Sequence, residues 1–281
     1  MYQLEISLKS CRRTSVSSRD VDAATTRTAS SAYNISSLLV TAVDNQCRKR
    51  KSIRAGSFFE NFKIPPSHWL YIIFLWSIDK FNKKVSLLTG FSLRTVITAL
   101  QRFRDIRSLK ILRGNVKLGG WGKTVEINES MFSHKRKYNH GRINRGTWVF
   151  GMVEWSTGWA LAFRVPNRTR ETLVAGLVQQ FVEPGTTIIS DKFSLYFNLN
   201  SLGYIHIMVN HSENFVDPFT GAHSHTIERV WSQIKRKLKS MNGTPKSRLP
   251  SYLDEFNWRK CYPGDPFDNL LADIPEFCPP N

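Results

Sequence analysis

The sequence predicts an α/β protein in which a mixed sheet flanked by helices follows a small helical domain. Two observations lead to this fold class. Residues from Pro65 to Ile106 carry apolar side chains at helical spacing. From Thr124 onward, three short runs with strand character are followed by segments that alternate between helix and strand. Alternation of that kind is typical of α/β domains.

Composition and charge restrict the classes of partner. The 281 residues include 40 Lys and Arg against 22 Asp and Glu, a net charge of +18, with 41% hydrophobic residues. A core of useful size is therefore expected, and the basic excess indicates a polyanion, most often nucleic acid. The apolar run from Trp69 to Ile78 is shorter than the roughly 20 residues that span a bilayer, so no membrane partner is expected.

The N-terminal part is basic and of low complexity. Residues 1–45 are rich in Ser, Thr and Arg, and we interpret them as a disordered leader. A basic segment and a helical DNA-binding domain are expected over residues 46–112. The cluster Cys47–Arg54, "CRKRKSIR", fits a solvated tail, a nuclear address or a phosphate contact. A nuclear location is the expectation that follows.

Two helices joined at Gly90 are predicted before residue 106. Ser92 is expected to cap the second helix, predicted from Ser92 to Asp105, while Arg94 and Arg102 face outward. The apolar stripe of this helix comprises Leu93, Val96, Ile97, Leu100 and Phe103. A helix-turn-helix would present the outward residues to DNA, and a plain helical hairpin fits equally well. Net charge favours DNA.

A second domain is predicted over residues 124–245, after a Gly-rich linker at 113–123 and before a C-terminal extension at 246–281. The predicted strands are Thr124–Asn128, Thr147–Glu154, Trp159–Val165, one ending at Asp191, and His206–Val209. Helices are predicted over Thr169–Val182 and in "HTIERVWSQIKRKLK". Three antiparallel strands followed by alternating helix and strand is the order of an RNase H-like domain.

Polar residues stand at three points of this order. Asn128 ends the first strand, Asp191 follows a buried strand, and Glu228 lies in the first turn of the last helix. Carboxylates at strand ends of a basic protein are typical of a Mg²⁺ site that acts on phosphodiesters. Taken singly, Asp191 could cap the next helix and Glu228 could complement a helix N-terminus.

Several strings resemble one family of transposases. They are "VEINESMFSHKRKYNHGR", "WVFGMVEWSTG", "PGTTIISDKFSLY", "HSHTIERVW" and "LDEFNWRK". Together they look like the ISXO2-like (IS1595/IS1016-type) DDE transposase domain, which in animals is the Merlin group of DNA transposons. The resemblance implies an RNase H-like fold and an acidic triad that binds Mg²⁺ to cut and join DNA. Asp191 matches the second acidic residue and Glu228 the third, but Asn128 stands where the family has Asp.

Asn128 replaces one acidic ligand of the family, and this replacement is expected to impair catalysis. We expect Mg²⁺ or Mn²⁺ binding at Asn128, Asp191 and Glu228 to be weakened or absent. Glu126 and Glu129 are candidate substitutes, although Glu126 lies about 7 Å back along the strand and Glu129 points the other way.

Three functions follow from these alternatives. They are a transposase with impaired cleavage and strand transfer, a domesticated non-catalytic DNA-binding protein, and a nuclease repaired by a substitute ligand. The expected partner is double-stranded DNA at transposon ends, and a homo-oligomer stays open. Expected DNA contacts are Arg94, Arg102, Lys135, Arg136, Lys137, Arg142, Lys235 and Arg236.

Overall fold

We describe a computed structural model that defines residues 54, 57–132, 146–191, 193–209, 225–241 and 243–277. The helices in these ranges are α1 (Pro66–Ser77), α2 (Asn82–Thr89), α3 (Leu93–Arg113), α4 (Gln179–Phe181), α5 (His225–Ser240), α6 (Leu249–Cys261) and α7 (Pro266–Phe277). The strands are β1 (Leu118–Gly119), β2 (Thr124–Phe132), β3 (Thr147–Glu154), β4 (Ala160–Val165), β5 (Val182–Glu183), β6 (Thr187–Asp191) and β7 (Ile205–Val209). A π-helical stretch, Glu171–Val178, leads into α4.

Five strands form the central sheet in the order β4-β3-β2-β6-β7. β2, β3 and β4 pair antiparallel, whereas β6 pairs parallel with both β2 and β7. β1 and β5 form a separate parallel pair. The predicted fold class is confirmed: this is a mixed, RNase H-like sheet flanked by helices.

The helical N-terminal part contains the predicted turn and cap. Gly90 adopts the left-handed conformation (φ 73°) that ends α2, and Ser92 Oγ accepts a hydrogen bond from Thr95 N at 3.2 Å. The predicted end of the following helix at Asp105 is wrong, because α3 continues to Arg113. Ile106 and Ile111 extend its buried face by two turns, and packing on α6 and α7 covers that face.

Several further boundaries differ from the prediction; β4 begins at Ala160 instead of Trp159, and β7 at Ile205 instead of His206. β2 does not end at Asn128 but runs to Phe132, because it pairs with β3 along its whole length, from Val125–Glu154 to Phe132–Thr147. The helix predicted over Thr169–Val182 begins at Glu171, and Val182 belongs to β5. The bounds of β3 match the prediction.

One hydrophobic cluster joins the helical part to the sheet. It includes Phe103 of α3, Ile127 of β2, Ile188 of β6 and Trp258 of α6. The segment predicted as a linker, 113–123, contains β1, and the segment predicted as a C-terminal extension supplies α6 and α7. The predicted leader lies outside the described residues. No helix within the described ranges is long and apolar enough to cross a membrane.

Candidate active site

The register of two central strands aligns Asn128 with Asp191. β2 and β6 run parallel, and their last Cα pair is Glu126 with Ile189. Asn128 and Asp191 each come two residues later, so they point to the same face of the sheet from neighbouring strands about 4.8 Å apart. Asp191 is the last residue of β6, at the carboxyl edge of that strand, whereas Asn128 lies inside β2, which continues to Phe132.

Helix α5 lies across this same face. Asn128 pairs with Gly151 in β3, and cross-strand partners share a face. A Cβ atom added to Gly151 would come within 2.4 Å of the Trp231 ring and 3.2 Å of Ile227. This glycine therefore permits the close approach of α5 to the strand beside Asn128.

Asn128 lies between two contacts that join β2 to α5. On one side of it, Glu126 Oε2 accepts a hydrogen bond from the Ile227 backbone N–H at 2.7 Å. On the other side, Ser130 Oγ accepts one from Lys235 Nζ at 2.7 Å. The helix thus runs along the strand from Glu126 to Ser130.

Glu228 lies on the same side of α5 as Lys235, which contacts β2. Lys235 follows it by seven residues, about two helical turns, so both side chains leave the helix on one side. Lys235 reaches β2, whereas Trp231 packs over β3. Glu228 is exposed and follows directly after Ile227, whose amide is bonded to the sheet.

Glu126 is occupied by structural contacts. Its side chain is fully buried, and Oε1 accepts a hydrogen bond from Trp155 Nε1 at 2.5 Å while Oε2 accepts from Ile227 N. Both oxygens therefore hold the β3–β4 hairpin and the start of α5. Glu126 shares the face of Asn128, as predicted, but a role as substitute ligand would compete with these bonds.

Glu129 points to the opposite face. Tyr196 Oη, from a fully buried side chain, donates a hydrogen bond to Glu129 Oε1. Burial raises the pKa of Glu129 and the charge of Asp191 adds to the rise, whereas the Tyr196 hydrogen bond and Arg168 oppose it. Glu129 is thus within electrostatic reach of Asp191 while lying on the other side of the sheet.

The donor set fits a hard divalent ion with one negative charge missing. Asn128, Asp191 and Glu228 would offer only oxygen atoms, the ligand type that Mg²⁺ and Mn²⁺ prefer. Two of these groups are carboxylates and the third is a neutral amide. Among the described residues, no group of three or more His, Cys, Asp or Glu side chains could hold a metal ion.

The predicted basic contacts are dispersed. Arg94 is exposed near the start of α3, and the Arg102 guanidinium lies 5.7 Å from the Phe62 ring centroid. Lys235 and Arg236 are exposed on α5. The predicted contacts of the basic loop, Lys135, Arg136, Lys137 and Arg142, lie outside the described residues.

Sequence reasoning missed the side chains that support this edge. Trp155 and Tyr196 bind the two glutamates that flank the Asn128 position, and Arg168 affects the pKa of Glu129. Of these three, only Arg168 could have been suspected from the sequence, because it lies just after a predicted strand, where functional side chains often stand.

One family model matches this chain. The family model described as the ISXO2-like transposase domain matches residues 112–260, slightly more than half of the chain. None of the curated proteins matches significantly.

Two solved structures show a partial likeness. The HTLV-2 integrase catalytic core domain in complex with magnesium (dimeric form) is 12% identical, covers 50% of this chain and 86% of its own, and has a TM-score of 0.34. The catalytic core domain of BIV integrase is 16% identical, covers 53% and 93%, and has a TM-score of 0.35. On the extent of the family match, the chain belongs to the ISXO2-like transposase domain family.

Proposed function

We propose that the protein binds the ends of a DNA transposon and that Asn128, Asp191 and Glu228 form its strand-cleavage site, impaired by the asparagine. The register of β2 and β6 supports this proposal, because Asn128 and Asp191 each follow the last Cα pair of the two strands by two residues, level with the carboxyl end of β6. The contact between Glu126 and the start of α5 supports a place for Glu228 over the same edge.

Each residue has a distinct role in this site. Asp191 and Glu228 would bind a divalent ion through carboxylate oxygens, and Asn128 through its amide oxygen. When bound, such an ion polarises a phosphodiester and lowers the pKa of a coordinated water. Because Asn128 adds no negative charge, it cannot offset the mutual repulsion of two ions. Loss of the second ion would therefore impair cleavage and strand transfer more than DNA binding.

The start of α3 is the segment that we propose contacts the DNA bases. Arg94 is exposed there, whereas Arg104 and Arg107 further along are buried in the core. In a helix-turn-helix, the N-terminal residues of the second helix contact base edges. Arg102 and the exposed Lys235 and Arg236 would contact phosphates, and the basic loop at 135–142 would add others.

Metal-dependent nicking tests the catalytic part of the proposal. A supercoiled plasmid that carries the terminal repeats is incubated with protein and Mg²⁺ or Mn²⁺. We expect little nicking by the natural sequence, restored nicking by Asn128→Asp, and none by Asn128→Asp with Asp191→Ala. Asn115→Asp is a matched control, since Asn115 is exposed just after α3. Strong cleavage by the natural sequence would contradict impairment and favour a nuclease repaired by Glu126 or Glu129.

A non-catalytic DNA-binding protein is the second candidate function. It is favoured by Asn128 together with the contacts of its neighbours, since Glu126 binds Trp155 and Ile227 and Glu129 binds Tyr196. If Asn128→Asp stays inactive while terminal-repeat DNA is bound normally, this candidate is preferred.

We also propose that the protein is located in the nucleus, because the basic cluster at residues 47–54 fits a nuclear address. Only Arg54 of this cluster lies within the described residues.

A further inference from the structure

Arg168 is an exposed arginine held in place by two aromatic rings. Its guanidinium carbon lies 3.9 Å from the centroid of Trp148 and 5.2 Å from that of Phe193. The side chain is nevertheless exposed to solvent. Stacking restricts a long side chain that would otherwise sample many rotamers, so less conformational entropy is lost when a ligand binds.

The two rings place Arg168 at the carboxyl edge that bears Asp191. Trp148 pairs with Met131, near the end of β2, and Phe193 follows Asp191 by two residues. Arg168 itself follows β4, whose last residue, Val165, pairs with Trp148. The guanidinium therefore lies beside the ends of β2 and β6, on the face of the sheet that Trp148 shares with Met131 and opposite to the face of Asn128.

The hydrogen-bonding edge of Arg168 is available. No hydrogen bond or salt bridge among the described residues uses its N–H groups, and its guanidinium carbon lies over the rings of Trp148 and Phe193. A guanidinium carries five N–H donors in its plane, and their fork geometry matches two phosphate oxygens. The edge can thus bind an oxyanion without breaking an existing bond.

Glu129, a nearby carboxylate, does not occupy the N–H donors of Arg168. Its carboxylate accepts a hydrogen bond from Tyr196, and no salt bridge among the described residues joins it to Arg168. Burial raises the pKa of Glu129, with the Arg168 charge among the smaller opposing effects. The arginine therefore affects Glu129 through space and leaves its donors for a ligand.

We propose that Arg168 binds a DNA phosphodiester at this edge, next to the one that faces Asp191. The inference rests on the proposed function, because it assigns the substrate contact of the same site. One phosphate would then meet the positive guanidinium on one face of the sheet edge, while its neighbour along the backbone would face the carboxylate of Asp191 on the other face. Arg168 would thereby offset the repulsion between Asp191 and the DNA backbone.

Salt-dependent DNA binding tests the proposal in metal-free buffer. Fluorescence anisotropy with a labelled terminal-repeat duplex gives Kd as a function of salt for the natural sequence, Arg168→Gln and Arg168→Lys. Loss of one phosphate contact lowers the slope of log Kd against log salt by about 0.9. Between about 50 and 200 mM salt, Kd of the natural sequence should therefore rise about 3.5 times more than that of Arg168→Gln. Arg168→Lys should keep the slope.

A matched control separates this contact from general charge loss. Arg113 is also exposed and lies 5.4 Å from the Phe277 ring, but it ends α3, away from the carboxyl edge. Arg113→Gln should keep the slope. An unchanged slope for Arg168→Gln in a protein that binds DNA would overturn the phosphate contact alone. Absence of salt-dependent DNA binding by the natural sequence would overturn the proposed function as well.

A double-mutant cycle locates the phosphate beside Asp191. Asp191→Asn should lower Kd in metal-free buffer, because it removes a carboxylate that repels the phosphate. That gain should shrink in the Arg168→Gln background, since the phosphate is no longer held there. Additive effects on Kd would contradict the proposal, because a purely structural arginine has no reason to couple with Asp191 through DNA.

Discussion

The backbone N–H of Ile227 donates a 2.7 Å hydrogen bond to Glu126 Oε2, from the first turn of α5 to the centre of the sheet. The carboxylate is fully buried, and its other oxygen accepts from Trp155 Nε1. A negative charge at a helix start also complements the helix dipole. Glu126 therefore fixes the position of the residue that follows Ile227, which is Glu228.

Replacing Glu126 should destabilise the fold. Glu126→Gln removes the charge and presents an amide NH₂ to one of two N–H donors, so we expect about 2 kcal/mol less free energy of unfolding. Urea denaturation measures the loss. Glu171→Gln, at an exposed position, should leave the free energy of unfolding nearly unchanged. A Glu126→Gln protein of natural stability would mean that these bonds contribute nothing net.

Asn128→Asp should link thermal stability to metal. Without metal, a third carboxylate near Asp191 and Glu228 adds repulsion, so Tm should fall in EDTA. With Mg²⁺ or Mn²⁺ at about 100 times Kd, binding to the folded state adds about 2.7 kcal/mol. Differential scanning calorimetry should show a larger metal-induced rise in Tm for the variant than for the natural sequence. Equal shifts would show that Asn128 is not at the metal site.

The buried carboxylate of Glu255 is surrounded by basic side chains from several helices. Its Oε1 accepts hydrogen bonds from Trp76 Nε1 at 3.0 Å and Lys237 Nζ at 3.1 Å, and Arg107 Nη2 lies 3.5 Å from Oε2. Burial alone would raise the pKa of Glu255, but the charges of Lys237, Arg107 and Arg259 outweigh it and hold the pKa well below 4.5.

This depressed pKa predicts an acid-sensitive stability. The stabilisation from ionised Glu255 is present above the unfolded pKa of about 4.5 and is lost as pH falls toward the lower folded pKa. Urea denaturation from pH 7 downward should show a steeper loss below about 4.5 for the natural sequence than for Glu255→Gln. Glu276→Gln, in an exposed pair with Lys110, should follow the natural curve. Identical curves for Glu255→Gln and the natural sequence would contradict the prediction.

Arg94 and Arg102 should differ when changed to alanine. Arg94 is exposed, so Arg94→Ala should weaken terminal-repeat binding at constant stability. Arg102 stacks on Phe62, so Arg102→Ala should also lose about 0.5–1 kcal/mol of stability. Anisotropy titrations and urea denaturation measure the two effects, and Lys117→Ala is an exposed control outside α3. If the variant that carries both Arg94→Ala and Arg102→Ala binds terminal-repeat DNA unchanged, the helices α2 and α3 form a purely structural hairpin.

The elements with clear local signals could be predicted from the sequence. β3 is bounded by glycine before it and the "STG" turn after it, and both of its ends matched. The ends of β2 and α3 could not be predicted, because they depend on partners. β2 continues past Asn128 since β3 pairs with it, and α3 continues past Asp105 since α6 and α7 cover it.

The candidate site was predictable in its positions and not in its contacts. Strand ends and family strings indicated Asn128, Asp191 and Glu228. The bonds of Glu126 join residues 29 and 101 positions apart, and local pattern carries no information about such pairs. For the same reason, the stacking of Arg168 on Trp148 could be seen only in the folded chain.

Helices α1, α3, α5 and α6 pack together around Glu255. This packing fixes the distance between the start of α3 and the sheet edge at Asp191. The ring centroids of Trp76 in α1 and Trp258 in α6 are 5.9 Å apart, and Lys237 of α5 donates a hydrogen bond to Glu255 in the same cluster. A DNA end that touched both the start of α3 and Asp191 would meet a spacing set by packed side chains and not by a tether. The number of base pairs between the sequence recognised and the phosphate that faces Asp191 would then be constant from one DNA end to the next.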